Sequence, residues 1–440
     1  MKKFYVICTF LVMALLSGCD NKESDPYAGD FFPRIFDPAR VFTSPSMVIA
    51  EGASAQFKGL LFSPANQVSI SWQVDGKEVS TDTSFTFTPT AGGEYHLTLA
   101  VSHQGDTAYR RSTILVSSPV YTPKTYDHVV MPYLSSTGTA ASVNWAAATH
   151  VAYQAARVLP DGSLDLQAAQ TNQAADELVA RAHLNGVAVL LGICGHHSGV
   201  DGWALYESND FGNAISHESS RHLLVEATSK FVNEKFMDGV DLMMTDVNSG
   251  QAAANIKAIG PFLAELRAAL PSKLITVTVT TNGLVSEYPD LSKADWINVH
   301  AFENGLTVGP GAPIGQPSPL NYMIDCATLW KNKGYPASKL VIGLPAFGLQ
   351  YTALDENGHN LSWGSYGYLP YSDILAADAE ADQKDFVSLE KGVYYNGIPL
   401  IKQKVAYLKA NGFKGTYLWA GDYDVMGEKS LLGAIYQNIN

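Results

Sequence analysis

Hydrophobic and polar positions change rhythm near residue 120. Before it, short segments such as SISWQV and EYHLTLAV alternate apolar and polar residues, with turns at Asp75-Gly76 and Gly92-Gly93. Alternation with a period of two, bounded by glycine turns, predicts strands with one buried face. We therefore predict a small all-β domain over residues 41–120.

Residues 123–440 instead alternate apolar, strand-like segments with amphipathic helical ones. The eight strand-like segments are HVVMPYL, HVAYQAA, VAVLLGICG, GVDLMMTD, LITVTVTT, WINVHAFEN, LVIGLPAFG and GTYLWAGDYD. Eight strand–helix units predict an α/β fold of the (β/α)8 TIM-barrel type, in which functional residues lie at the carboxyl ends of the strands. The complete expectation is a TIM barrel preceded by an all-β sandwich.

The amino terminus has the pattern of an export signal. Lys2 and Lys3 precede an apolar segment that ends in Leu-Ser-Gly-Cys at residues 16–19. This resembles a bacterial lipoprotein signal peptide over residues 1–18, with lipid on Cys19; an ordinary secretory signal is the alternative. The polar residues 19–40 are predicted to be a tether, and DNKESD resembles the export tag of Bacteroidetes-type surface lipoproteins.

Charge and cysteine content narrow the possible partners. The chain carries 42 acidic and 29 basic residues, a formal net charge of −13, which disfavours nucleic acid and anionic membrane surfaces. Beyond the signal and Cys19, only Cys194 and Cys326 remain, too few for a disulfide framework. Adjacent His196 and His197 lack the spacing of a metal site, so no metal or cofactor is predicted.

Two family resemblances add to this pattern. In residues 41–120, Trp72 in an early strand and Tyr95 before a late strand resemble immunoglobulin-like or polycystic-kidney-disease-type sandwiches. In residues 123–440, five segments in the expected order resemble glycoside hydrolase family 18, which contains chitinases and endo-β-N-acetylglucosaminidases. They are ATHVAYQAARVLPDG, VLLGICG, FMDGVDL, LVIGLPAFG and GFKGTYLWAGDYD.

The resemblance implies a catalytic motif, Asp-x-x-Asp-x-Asp-x-Glu, on the fourth strand. Its positions here are Asp238, Asp241, Met243 and Thr245. In the family the Glu protonates the leaving oxygen, and the preceding Asp orients the acetamide of the substrate, which acts as nucleophile. A threonine hydroxyl is too weak an acid for this role. We therefore predict that no catalytic set is intact, unless Asp246 or Glu303 supplies a displaced acid.

The remaining site residues are predicted to bind a glycan. The resemblance places Trp419 as the indole floor under the sugar, near Asp241. The other predicted ligand-binding residues follow strands or lie on the loop after the seventh strand: Tyr133, Asn282, His300, Phe302, Glu303, Trp363 and Tyr366. Core packing for Tyr133 and Trp419, a turn for Asn282 and loop packing for the aromatic loop are the alternatives. Phe302 lacks the hydroxyl of the family's usual tyrosine, and Ala155 replaces an aromatic residue.

These observations predict a glycan-binding lipoprotein on the cell surface rather than an enzyme. The resemblance implies ligands that contain N-acetylglucosamine, such as chitin fragments or N-glycans. It also implies anchoring in the outer membrane through Cys19 and an importer complex as partner. An active endo-acting glycosidase with a displaced acid and a structural or adhesion lipoprotein are the alternatives.

Overall fold

The computed structural model describes residues 32–117, 120–166, 171–201, 210–243, 252–302 and 306–440. The predicted signal peptide, Cys19, Thr245, Asp246 and Glu303 lie outside these residues. The chain divides into two units, one ending at Val116 and the other running from Ser117 to Asn440. Within the described residues, the helices are too short or too polar to cross a membrane.

The amino-terminal unit is all-β, as predicted. Its strands are β1 (Arg34–Phe36), β2 (Ser46–Ala50), β3 (Ala55–Phe57), β4 (Leu61–Ser63), β5 (Ser69–Val74), β6 (Lys77–Ser80), β7 (Phe85–Phe87), β8 (Gly93–His103) and β9 (Asp106–Ser117). Five of them form a sheet in the order β2-β9-β8-β5-β6, and β1–β4 and β3–β7 form two separate pairs.

The first strand lies in the segment predicted to be a tether. Arg34–Phe36 pairs antiparallel with Leu61–Ser63, and the side chain of Ile35 is buried in the core of the unit. The ordered domain therefore begins before residue 41. A three-residue strand is too short to show the alternation from which strands are predicted.

The second unit is a closed barrel of eight parallel strands, which confirms the predicted fold. The strands are β10 (Val129–Leu134), β11 (His150–Val158), β13 (Ala188–Cys194), β14 (Gly239–Met243), β15 (Leu274–Val279), β16 (Trp296–Val299), β17 (Leu340–Pro345) and β22 (Gly415–Trp419). Each pairs with its sequence neighbour in the barrel, and β22 pairs with β10 to close it. A two-residue strand, β12 (Leu164–Asp165), pairs with the end of β11.

Helices surround this barrel and cover its outer face. In the described residues they are α1 (Thr171–Leu184), α2 (Asp210–Ser216), α3 (Glu218–Glu234), α4 (Ala252–Ala269), α5 (Leu320–Asn332), α6 (Tyr371–Ala377), α7 (Ile398–Ala410) and α8 (Leu431–Ile439). One large hydrophobic cluster lies between strands and helices, and a second, smaller cluster fills the barrel interior. This two-layer arrangement leaves the carboxyl ends of the strands as the mouth of the barrel.

A small sheet interrupts the barrel after β17. Its strands are β18 (Phe347–Tyr351), β19 (Tyr366–Pro370), β20 (Phe386–Val387) and β21 (Val393–Tyr394), in the order β19-β18-β21-β20. Helix α6 follows β19 directly. The aromatic loop of the sequence prediction therefore belongs to this inserted sheet.

A buried lysine fixes the segment that follows β16. The ammonium of Lys404, on α7, donates to the Oγ of Ser318 and to the Oδ1 of Asn396, each at 2.7 Å, and Ser318 donates to the carbonyl of Ala301 at 2.7 Å. Burial lowers the pKa of Lys404 well below its ordinary value, against the opposing effect of Asp385. Lys404 thus links the segment after β16 to α7, and burial makes protonation of its side-chain nitrogen costly.

We expect this burial to make stability depend on pH. In the unfolded chain Lys404 keeps an ordinary lysine pKa of about 10.4, so the unfolded state binds more protons than the folded state below that value. The free energy of unfolding should therefore rise with pH between the lowered and the ordinary pKa, by at most about 1.4 kcal/mol per pH unit for one proton. In Lys404→Met the rise should be smaller.

Urea unfolding at a series of alkaline pH values measures this difference. Lys402→Met is the matched control, because Lys402 is exposed on the same helix. Identical pH slopes for wild type and Lys404→Met would contradict the assignment.

Candidate functional site

The centre of the barrel interior is a buried carboxylate, Asp241 on β14. It accepts hydrogen bonds from Tyr133 at 2.6 Å, from the amide of Asn298 at 2.9 Å, from Thr278 at 3.1 Å and from Thr276. These donors come from β10, β16 and β15, whose side chains point inward at the level of Asp241. A buried carboxylate needs such donors, because an unpaired charge inside a protein is expensive.

Burial sets the ionisation behaviour of this group. It raises the pKa of Asp241, and the four hydrogen bonds act in the opposite direction. Burial and the nearby Asp241 both raise the pKa of Tyr133 well above its ordinary value, so its hydroxyl stays a neutral donor. Asp241 is completely buried. It therefore acts in this state as the anchor of the strand ends rather than as a group in contact with solvent.

The next inward position on β14 is Met243, where the family places its second carboxylate. Met243 is buried in the interior cluster together with Tyr133, Phe302, Tyr417 and Trp419. A thioether is uncharged, and its sulfur is only a weak hydrogen-bond acceptor. The layer above Asp241 is therefore built from apolar and aromatic side chains and cannot stabilise a positive intermediate through Met243.

A glycine makes this aromatic layer possible. A Cβ on Gly343 of β17 would lie 2.4 Å from the ring of Tyr417 and 2.8 Å from that of Phe302. The ring of Tyr417 in turn lies 5.1 Å from that of Tyr133. Any side chain at residue 343 would displace these rings from the barrel interior.

Asp238, the first aspartate of the motif, lies at the opposite end of β14. It accepts from the hydroxyl of Tyr121 at 2.9 Å, from Nε2 of His183 at 3.0 Å and from the amide of Val189 at 2.8 Å. Burial raises the pKa of Asp238, but these hydrogen bonds together with the nearby His183 outweigh it and lower the pKa. Its place at the amino end of the strand indicates a structural role.

Trp419 ends β22 in the interior cluster and is only 2% exposed. Its ring lies 5.4 Å from that of Tyr133, and its indole Nε1 donates to the carbonyl of Val200 at 3.0 Å. Val200 belongs to the loop after β13 and also packs against the interior cluster. In this state the loop covers the indole. Trp419 and Tyr133 are both buried in the core of the barrel, which is the alternative given for them in the sequence analysis.

His300 and Phe302 follow β16 in the same region. Their rings lie 3.9 Å apart, and both residues are buried. Burial lowers the pKa of His300 to about 3, against the opposing effect of Asp201. His300 is therefore a neutral imidazole at physiological pH, and the mouth at this point is polar but uncharged.

The other predicted binding residues lie apart from this cluster. The side chain of Asn282 accepts from the amide of Leu284 at 2.9 Å, which is the turn alternative. In the connection between β18 and β19, Trp363 is 67% exposed. Tyr366, the first residue of β19, is half-buried. By contrast, Tyr351 at the end of β18 is buried, and its hydroxyl donates to the carbonyl of Thr307 at 2.8 Å.

Sequence reasoning missed several members of the interior network. Thr276, Thr278 and Asn298 occupy the inward positions of β15 and β16 in register with Asp241. Their signal was available, because polar residues recur at every second position of two strands that are otherwise apolar. No resemblance pointed to them.

The second strand differs from its prediction at Ala155. The pairing of β11 with β13 shifts between Gln154 and Ala156, and Ala155 joins the cluster that faces the helices. Gln154 is buried instead and donates to Ser198 at 2.9 Å. Alternation from Ala152, on the inner face, already carries Gln154 inward and Ala155 outward. The irregularity after Gln154 then leaves Ala156 in the helix-facing cluster as well, which alternation in the sequence does not show.

In the residues that the structure describes, no group of three or more His, Cys, Asp or Glu side chains is placed to hold a metal ion. His197 has its pKa lowered mainly by burial, with smaller effects of His196 and Arg157 in the same direction. This is the behaviour of a neutral polar residue beside the mouth.

Comparison with known proteins places this geometry in a family. The model of Glycosyl hydrolases family 18 matches residues 101–424. Mouse chitotriosidase-1 is 25% identical over 269 residues, which is 51% of this chain and 57% of that protein. The chain thus spans little more than half the length of this curated relative.

Solved structures show the same fold. A chitinase from Bacteroides thetaiotaomicron matches with a TM-score of 0.59 and 22% identity over 71% of this chain and 97% of that one. YKL-39, crystallised in the presence of chitooligosaccharides, matches with a TM-score of 0.59 and 18% identity over 71% and 99% of the two chains. With a closed eight-stranded barrel and a family model that matches more than half of its length, the chain belongs to glycosyl hydrolase family 18.

Proposed function

We propose that this protein binds glycans containing N-acetylglucosamine, such as chitin fragments or N-glycans, without hydrolysing them. The observation that carries the proposal is Met243, buried on β14 directly above Asp241. Substrate-assisted cleavage needs a carboxylate at this position to orient the acetamide and to stabilise the intermediate. The motif position of the acid is Thr245, whose hydroxyl cannot protonate a leaving oxygen near neutral pH.

Glycan binding is supported by what the barrel retains. Trp419, Tyr133 and Phe302 form an aromatic group at the carboxyl ends of β22 and β10 and after β16. Aromatic faces stack on the apolar faces of pyranose rings. Membership of the family and the presence of chitooligosaccharides in the YKL-39 structure support the same ligand class.

Binding at Trp419 requires a local opening. The indole N–H of Trp419 already donates to the carbonyl of Val200, and the side chain of Val200 packs against the interior cluster that contains Trp419. A sugar can stack on Trp419 only after the segment containing Val200 and Asp201 moves away. The ligand must therefore supply contacts that are stronger than the Val200 contact it replaces.

A second candidate function is an active glycosidase with a displaced acid. Asp201 favours it, because this buried carboxylate in the loop after β13 acts electrostatically on His300 and Tyr423, which both lie beside the mouth. Opening of the loop would move Asp201 together with Val200. Asp246 and Glu303 are the other candidates for the acid.

We propose that the amino-terminal unit is an immunoglobulin-like spacer between the barrel and a lipid anchor. Trp72 is buried against Phe57 and Phe85, and its indole donates to the carbonyl of Asp82 at 2.9 Å. The hydroxyl of Tyr95 donates to the carbonyl of Ala91 at 3.0 Å, as in the tyrosine corner of such sandwiches. The anchor would be lipid on Cys19 in the outer membrane, facing the cell surface, with an importer complex as partner.

Purified protein should not cleave chitotetraose or N-glycans, because Met243 and Thr245 replace both catalytic carboxylates. Product formation is measured by chromatography with mass detection over long incubations. Hydrolysis that is lost in Asp201→Asn, in Asp246→Asn or in Glu303→Gln would establish the displaced-acid enzyme instead.

Trp419→Ala should weaken chitotetraose binding by about 30-fold or more, since a truncated hot-spot aromatic typically costs about 2 kcal/mol. Calorimetry gives the affinity. Thermal unfolding must be measured beside it, because removing a buried indole also destabilises a protein by several kcal/mol, about 3–5. Trp419→Phe keeps much of the packing and should fold while still losing affinity.

Phe386→Ala is the control, because Phe386 is an exposed aromatic residue on β20 that is not among the predicted binding residues. It should leave the affinity unchanged. If Trp363→Ala lowers the affinity while folded Trp419→Phe binds normally, the glycan site lies on the inserted sheet and not in the barrel mouth.

Cys19→Ala should release the protein from membranes, because the proposed lipid is attached to that thiol. Fractionation of cells and mass spectrometry of the mature amino terminus measure this. Membrane retention of a correctly processed Cys19→Ala protein would show that the anchor assignment is wrong.

A further inference from the structure

A pocket separate from the barrel mouth lies between the loop after β10 and helix α1. Its volume is about 410 Å³. Leu134, Ser136 and Thr139 line one side, Ala174 and Glu177 of α1 line the other, and Tyr153 of β11 lies between them. Pockets of this size are typical of small-molecule sites. None of the lining residues belongs to the group around Trp419, Tyr133 and Phe302 at the barrel mouth, which is called the central cleft below.

The loop side of the pocket is fixed by hydrogen bonds within the protein. Ser135 donates to the carboxylate of Asp422 from its amide at 3.0 Å and from its hydroxyl at 2.6 Å. The amide of Gly138 donates back to the carbonyl of Ser135 at 3.0 Å. A Cβ on Gly138 would lie 2.4 Å from Leu134, so the loop folds tightly onto the end of β10. The pocket is therefore shaped before any ligand arrives.

Tyr153 supplies an observation that is independent of the cavity. Its side chain is buried, and its hydroxyl makes no hydrogen bond with any of the described residues. Buried hydroxyls are almost always hydrogen-bonded, so one without a partner at the wall of a pocket calls for an explanation. Burial raises the pKa of Tyr153 to about 12, which keeps the hydroxyl protonated and able to donate.

The lining indicates what kind of molecule would fit. Ser136, Thr139 and Tyr153 offer hydroxyls, and Glu177 offers a carboxylate that already accepts from Arg181 at 3.0 Å. Leu134 and Ala174 offer apolar surface. Among the described residues lining the pocket there is no Lys, Arg or His. The carboxylate of Glu177, which is already paired with Arg181, would repel an anion. A neutral ring with several hydroxyls and one apolar face matches the lining.

We propose that this pocket is a second binding site for one neutral pyranose unit. The site would let the protein hold a glycan at two points or hold a sugar independently of the central cleft. Because its walls come from β10, β11 and α1, it does not depend on the opening of the Val200 loop.

The probe for this site is free N-acetylglucosamine, with glucose as a second probe to show whether the acetamide matters. Ligand-observed NMR titration suits weak binding. Tyr153→Phe should weaken the monosaccharide by about fivefold, the usual effect of losing one hydrogen bond. Ala174→Phe should abolish binding, because the larger side chain fills the pocket. The control variant Ala268→Phe, at an exposed position of α4, should not change monosaccharide binding.

Thermal unfolding separates a ligand site from a structural role. Removing a hydroxyl that has no partner should leave the melting temperature of Tyr153→Phe unchanged or higher. A lower melting temperature would show that the hydroxyl has a structural partner and would overturn the proposal. Absence of monosaccharide binding in wild type, or unchanged binding in Tyr153→Phe, would overturn it as well.

The two sites can fail separately. Trp419→Phe should lose affinity for chitotetraose but keep the monosaccharide binding that Tyr153→Phe weakens. If wild type binds no chitotetraose, the function proposed for the central cleft fails while the pocket is still tested by the monosaccharide. If chitotetraose binds but both monosaccharides do not, only the second site is refuted.

Discussion

The hydrogen bonds to Asp241 hold the interior of the barrel together. The carboxyl group accepts from side chains of β10, β15 and β16, so four strands meet at a single buried acidic group. A charge buried this completely stays only if its donors stay, because losing one of them leaves an uncompensated polar group in the core. The spacing of these strand ends, and hence the width of the mouth, depends on this group of contacts.

This constraint explains why the motif is half preserved. Asp238 and Asp241 both have structural partners, at the amino end of β14 and in the barrel interior. Replacing either would disturb the fold itself. Met243 is the next inward position of β14, where the family's chemistry rather than its fold requires a carboxylate. In the sequence, Thr245 occupies the motif position of the acid. The hydrogen bonds to Asp238 and Asp241 give both residues a structural role that is independent of catalysis.

The loss of charge above Asp241 also changes what the mouth can do. With Met243, Phe302 and Tyr417 in the layer, the space next to Trp419 is apolar, and His300 stays neutral. Such a surface suits stacking against a neutral sugar more than stabilisation of a charged intermediate. The contact of Val200 with Trp419 covers this surface in the present state. The pocket beside β10 has a different character, since the hydroxyl-bearing residues Ser136, Thr139 and Tyr153 line it.

The sequence by itself determined the barrel, its eight strands and which residues occupy the four motif positions. Strand and helix periodicity is local, and the identity of residues 243 and 245 needs no coordinates. Only the tertiary structure decided which residues meet. Thr276, Thr278 and Asn298 join Asp241 because register across strands brings them to one level. An irregularity in β11 places Ala156 beside Ala155 in the cluster that faces the helices. Packing between residues far apart in the chain likewise buries Trp419 and encloses the hydroxyl of Tyr153. A local sequence pattern contains no information about such packing.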